Sequence, residues 1–110
     1  MQYVFTCRIG HDKGNQTNAL NVQTILETAS NVLDFDGCTT WEAVGFWRGG
    51  YEQTTVIEVA GLTKTEAQAF SDKLPELSNA LGQTSIYGTI AEAECAERFA
   101  SEYAEETKTA

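Results

Sequence analysis

Positive charge is scarce in this chain. Its 110 residues carry seven Lys and Arg against sixteen Asp and Glu, a formal net charge of -9. Phosphate backbones are gripped by basic surface, and no basic stripe exists here. Direct, sequence-general binding of DNA or RNA is therefore excluded. Long hydrophobic runs are missing as well. Nothing approaches 18 consecutive apolar residues, which speaks against a membrane-spanning helix. The opening stretch MQYVFTCRI has neither a basic prelude nor a long apolar core, so it does not read as a secretory signal. There is a single His and a single Pro. A metal site built on paired imidazoles is ruled out, and Cys7, Cys38 and Cys95 stand too far apart for ligand spacing. Odd, scattered thiols fit a reducing compartment. The expectation is a cytoplasmic protein with no metal site and no cofactor.

What is present suffices for one domain and hardly two. The apolar share is 42%, well above that of a disordered chain. Six of the acids and two of the bases fall in residues 91–110, so acidity is general but densest near the C-terminus.

Periodicity divides the chain. Residues 2–9 alternate, with Tyr3, Phe5, Cys7 and Ile9 on one side, as in a half-buried strand. The polar stretch 10–18 reads as a loop. Leu20, Val22, Ile25, Leu26, Ala29, Val32 and Leu33 recur at helical spacing, which predicts a helix over 19–34. Strands are expected over 39–48 and 53–60, with the glycines of RGGYE turning the chain between them. Those glycines lack the downstream lysine and helix of a phosphate loop. Thr63 and Glu66 form a capping-box signature that opens a second helix. Pro75 should break that helix near Lys73 and sit in the first turn of its continuation. A fourth strand is expected over 83–89 and a third helix over about 90–104, because Thr89 and Glu92 repeat the capping spacing.

The order β-α-β-β-α-β-α matches a split β-α-β-β-α-β sandwich, the ferredoxin-like fold, with an additional C-terminal helix. Its sheet would run 4-1-3-2, antiparallel, with both main helices on one face. The expected division is an α+β domain over 1–90, an acidic helix over 91–104 packed on it, and a frayed tail over 105–110. Thr39, Gly45-x-Trp47, Glu52-x-Thr54-x-Val56-Ile57 and Gln83-x-Ser85-Ile86 resemble the marks of a small uncharacterised family of ferredoxin-like domains. The resemblance covers about residues 38–87. It implies the fold and no mechanism.

In such a sheet the end of strand 1 lies near the starts of strands 3 and 4. His11, Glu52 and Gln83 should then gather at one rim, with Trp47 and Arg48 at the same edge. His11 and Glu52 are the candidate catalytic pair, as a proton relay if they come within hydrogen-bond reach. Arg8 or Arg48 could receive an anionic ligand, and Trp47 could stack on a planar one. Each has a plain structural reading: a solvated loop histidine, a glutamate and a glutamine pinning backbone, a core tryptophan. Cys7 and Cys95 read as small hydrophobes. Three functions follow. The leading expectation is a non-enzymatic protein that forms a homodimer through its open sheet face and binds a protein partner or small anionic ligand. The alternatives are a small enzyme with a His11/Glu52 site at the strand ends, and an acidic inhibitor or nucleic-acid mimic directed at a basic protein.

Overall fold

A computed structural model describes residues 2–11, 20–98 and 100 of the chain, apart from the side chain of Trp47. The elements run β1 (Gln2–Gly10), α1 (Val22–Leu33), β2 (Thr39–Trp47), β3 (Gly50–Leu62), α2 (Lys64–Asp72), α3 (Leu74–Ala80) and β4 (Tyr87–Ala93). The four strands form one antiparallel sheet in the order β2-β3-β1-β4. This is the expected ferredoxin-like sandwich.

Strand β1 holds the centre. Its alternation buries Phe5, Cys7 and Ile9 completely beneath the helices. Against them pack Ile57 and Val59 of β3, Ile25, Ala29 and Leu33 of α1, Ala67 and Phe70 of α2, and Leu77 of α3. Phe5 and Phe70 meet edge to face at 5.5 Å. Full burial of a Phe or Ile side chain stabilises by about 1.5–3 kcal/mol, so β1 and its contacts anchor the core.

Local signals set the helix ends. Asn21 caps α1, its Oδ1 accepting from Thr24 N–H at 2.8 Å. At the far end Asp34 turns left-handed, with φ 64°. The Thr63/Glu66 capping box forms in both directions. Lys73 separates α2 from α3, and Pro75 lies in the first turn of α3, as expected.

Two boundaries depart from expectation. The β2–β3 turn has only two residues, Arg48 and Gly49, both at positive φ (50° and 81°), as a tight hairpin requires. Tyr51 and Glu52 consequently belong to β3 and not to the turn. Strand β4 begins four residues later than expected and runs through Ile90–Ala93, which pair with β1. Those residues were assigned to a helix. The Thr89/Glu92 spacing suits a cap, but Thr89 and Glu92 pair with Thr6 and Tyr3, and the ladder prevails. Residues 94–98 carry no regular structure, so Cys95 is not on a helical stripe there. Ala100 is helical, and residues 99 and 101–104 of the expected helix lie outside the described residues, as does the tail.

The registers place Val4, Thr6, Arg8, Thr54, Val56, Trp41 and Tyr87 on the face away from the helices. No helix among the described residues is long and apolar enough to cross a membrane.

Thr63→Ala should lower stability by about 1 kcal/mol in urea unfolding, through loss of the α2 cap. Hydrogen bonds from Thr63 hold the Glu66 carboxyl below its ordinary range. Its contribution is therefore complete above the ordinary carboxylate range and fades as pH falls through the lowered value. Thr63→Ala keeps the backbone N–H that is the larger cause of this shift, so acid should weaken the cap in variant and wild type alike.

Candidate active site

The chain leaves β1 at His11. Its N–H extends the ladder to the Gln53 carbonyl at 2.9 Å, and its own carbonyl accepts from Leu20 N–H at 3.0 Å. The preceding carbonyl, that of Gly10, accepts from Gln83 Nε2 at 2.8 Å. Two backbone bonds and the Gln83 side chain on the preceding carbonyl thus clamp the residue, and strand parity turns its imidazole to the helix side of the sheet, 7% exposed.

A buried ring nitrogen needs a partner. His11 Nε2 lies 2.5 Å from the Thr55 hydroxyl, which is itself fully buried. Thr55 Oγ1 in turn donates to Glu42 Oε1 at 3.2 Å. The hydroxyl has one proton, so His11 Nε2–H is the donor toward Thr55. Gln53 Nε2 donates to Glu42 Oε2 at 3.3 Å, and His11 Nε2 stands 3.6 Å from that oxygen. Strand pairing makes this arrangement: Glu42 faces Thr55 and Val44 faces Gln53 across β2 and β3. The Glu42 side chain remains 39% exposed. The result is a buried imidazole and hydroxyl ending in a carboxylate that solvent or a substrate can reach. An arrangement of this kind can hold, accept or pass a proton.

The residues singled out in the sequence fall in several places. His11 is the centre of the cluster and is not a solvated loop residue. Gln83 secures the Gly10 carbonyl, as its structural reading held. Glu52 does not meet His11. By strand parity it lies on the opposite face, and its carboxylate rests over Gly10, where its Cδ would stand 2.6 Å from any β-carbon. The carboxylate that meets His11 is Glu42, which sequence reasoning missed. Strand 2 has apolar residues at both parities, so its register gave no sign that Glu42 opposes Thr55. Trp47 and Arg48 sit at the hairpin tip, four or more residues beyond Thr54, the last β3 residue paired with β1. That is about 13 Å past the rim. Arg8 stays exposed on the open face, its guanidinium 5.7 Å from the Tyr87 ring centre.

The thiols take no part. Burial pushes the Cys7 thiol up to about 12, which keeps it protonated and inert. Cys38 is exposed and also raised by desolvation. Among the described residues no group of three His, Cys, Asp or Glu could hold a metal ion. A shallow cavity of about 280 Å³ opens elsewhere, between α3 and the segment before β4, lined by Leu74, Ser78, Asn79 and Ser85 among others. It contains no titratable group.

No protein-family model matches the chain, and no curated protein matches it by sequence. The sequence resemblance around Gly45, Glu52 and Gln83 is thus not confirmed as a family, while the ferredoxin-like fold that it implied is present. Among solved structures, a phage SAM lyase in its apo state aligns with TM-score 0.59 and 16% identity, covering 86% of this chain and 92% of that one. The phage SAM lyase in complex with S-methyl-5′-thioadenosine aligns with TM-score 0.56 and 16% identity, covering 83% and 81%. A dimeric ferredoxin-like protein of unknown function from Thermobifida fusca aligns at TM-score 0.43 and 8% identity, covering 84% and 92%.

The leading expectation, a non-enzymatic protein, is corrected by these findings. A phage SAM lyase shares the fold over most of both chains, and at the end of β1 the His11 imidazole is linked through the Thr55 hydroxyl to the Glu42 carboxylate. The alternative, an enzyme with its site at the strand ends around His11, accommodates both, with Glu42 in the place expected of Glu52.

Thr55→Val keeps the shape and removes the bridge. Urea unfolding should show a loss of about 1–3 kcal/mol, the usual cost of stranding a buried polar partner. Stability within a few tenths of wild type would mean that the bridge is not formed.

Proposed function

We propose that this chain is a lyase that cleaves a carbon–sulfur bond of S-adenosylmethionine or a closely related sulfonium, with Glu42 as the group nearest the reacting atoms. The observation that carries the reading is the His11–Thr55–Glu42 chain at the strand ends of a fold shared with a phage SAM lyase. The net charge of -9 adds to it, since an acidic protein draws in a cationic sulfonium.

The chemistry asks little of the protein. Breaking the bond from sulfur to the amino-acid chain leaves the electron pair on sulfur. The positive charge is neutralised and S-methyl-5′-thioadenosine departs as a neutral thioether. As that bond breaks, a base takes a proton from the neighbouring carbon and a double bond forms, or the chain's own carboxylate displaces the sulfur and closes a ring. In the first route Glu42 takes the proton, and His11 and Thr55 fix the carboxylate through hydrogen bonds. In the second Glu42 acts by its charge and position.

Purified protein incubated with S-adenosylmethionine should release S-methyl-5′-thioadenosine, read by chromatography and mass spectrometry. Release no faster than in buffer contradicts the reading. Glu42→Gln should cut kcat about 100-fold or more if the carboxylate takes a proton, and less than about tenfold if the ring closes internally. His11→Asn should act in the same direction with a smaller effect.

Self-association belongs to the same proposal. The half of the open face far from His11, around Val4 and Ala91, is the part we assign to pairing of two copies. Sedimentation should show a dimer that Val4→Lys converts to monomer; a wild-type monomer contradicts it.

A further inference from the structure

The open face, behind the His11 cluster, gathers a second set of charged and aromatic groups from all four strands. One row across the sheet reads Tyr87, Arg8, Val56, Trp41. The next row outward holds Gly10, Thr54 and Ala43, and the one beyond it Glu52 and Gly45. The floor is therefore made of small residues. The frame is a cation, an anion and two aromatic rings.

Each part of the frame is available. Arg8 is exposed against the Tyr87 ring, and Trp41 is 45% exposed. Glu52 is half-buried and folds back over Gly10, toward Arg8. Its carboxylate has no hydrogen-bond or ion-pair partner among the described residues. Val56, between Arg8 and Trp41, is only 3% exposed, so the sheet is covered at that row and the open floor is the next one, Gly10, Thr54 and Ala43. Gly10 lacks a side chain where one would collide with the Glu52 carboxylate, and at Gly45 one would meet Thr54 Oγ1 at 2.8 Å. Two glycines at these points keep the floor low.

We propose that this floor binds the zwitterionic head of a free α-amino acid whose side chain is apolar or planar. Arg8 receives the carboxylate, Glu52 receives the ammonium, and Trp41 and Tyr87 flank the side chain. A simple anion would meet the repulsion of Glu52, and a simple cation that of Arg8. A ligand carrying both charges on one carbon satisfies the two together. Arg8 and Gly10, over which the Glu52 carboxylate lies, are two residues apart on β1, about 7 Å between Cα atoms, and both flexible side chains can turn toward one head group between them. The inference does not depend on the lyase reading, because it concerns the other face of the sheet and a binding event.

The test is a titration of the full chain by amide NMR with L-phenylalanine, N-acetyl-L-phenylalanine and L-phenylalaninamide. L-phenylalanine should shift the Gly10 and Gly45 amides and the Trp41 indole. Each masked derivative should bind about tenfold or more weakly, the effect of losing one charge-assisted hydrogen bond. Glu52→Gln should erase the preference over the N-acetyl form, and Arg8→Gln the preference over the amide. Both residues are at the surface, so the variants should fold. The proposal is overturned if no saturable shift appears, if the three ligands bind alike, or if the variants keep the wild-type preferences. The lyase assay is not involved, so failure of either idea leaves the other standing.

Discussion

An imidazole taken out of water must be paired, and that requirement organises one end of this molecule. Strand β1 delivers His11 to the helix side of the sheet by continuing the alternation of Phe5, Cys7 and Ile9, and backbone bonds to Gln53 and Leu20, with the Gln83 side chain on the Gly10 carbonyl, hold it there. Thr55 is the partner, and Thr55 is itself buried, so its hydroxyl must find an acceptor in turn. Glu42 supplies it from the edge strand, where solvent still reaches the carboxylate. The chain of bonds runs from a rigid interior outward to a reactive group. Disturbing any member strands the next.

The same sheet end serves two surfaces because a strand alternates. Gln53 and Glu52 are neighbours in sequence, yet one braces Glu42 on the helix side and the other lies over Gly10 on the open side. Chemistry and recognition can therefore be built on the same strands without sharing a side chain. Loops would hold such groups less firmly. The cost is conformational: Gly10 and Gly45 must stay bare, and the two-residue turn at Arg48 and Gly49 must adopt left-handed backbone.

Much of this was legible in the sequence where one physical signal dominates. The parity of β1, the Thr63/Glu66 cap and the break at Lys73 follow from strong periodicity and local chemistry, and the sheet order came from the fold class that the element order matched. The convergence of His11 and Gln83 followed from strand direction alone. What failed was register and competition. Trp41, Val44 and Phe46 make β2 apolar at both parities, so nothing in the string distinguished Glu42 as the residue opposite Thr55. The Thr89/Glu92 spacing satisfied a helix cap as well as a strand, and pairing with Thr6 and Tyr3 decided between them. The candidate site was the least legible, since a cluster of His11, Thr55 and Glu42 contributed by three strands leaves no contiguous motif.

The most direct test of the account is a crystal structure of the chain soaked with S-methyl-5′-thioadenosine. The account predicts the thioether sulfur beside the Glu42 carboxylate, on the helix side of the sheet. Density for the ligand confined to the depression between α3 and the start of β4, with Glu42 facing only solvent, would contradict it.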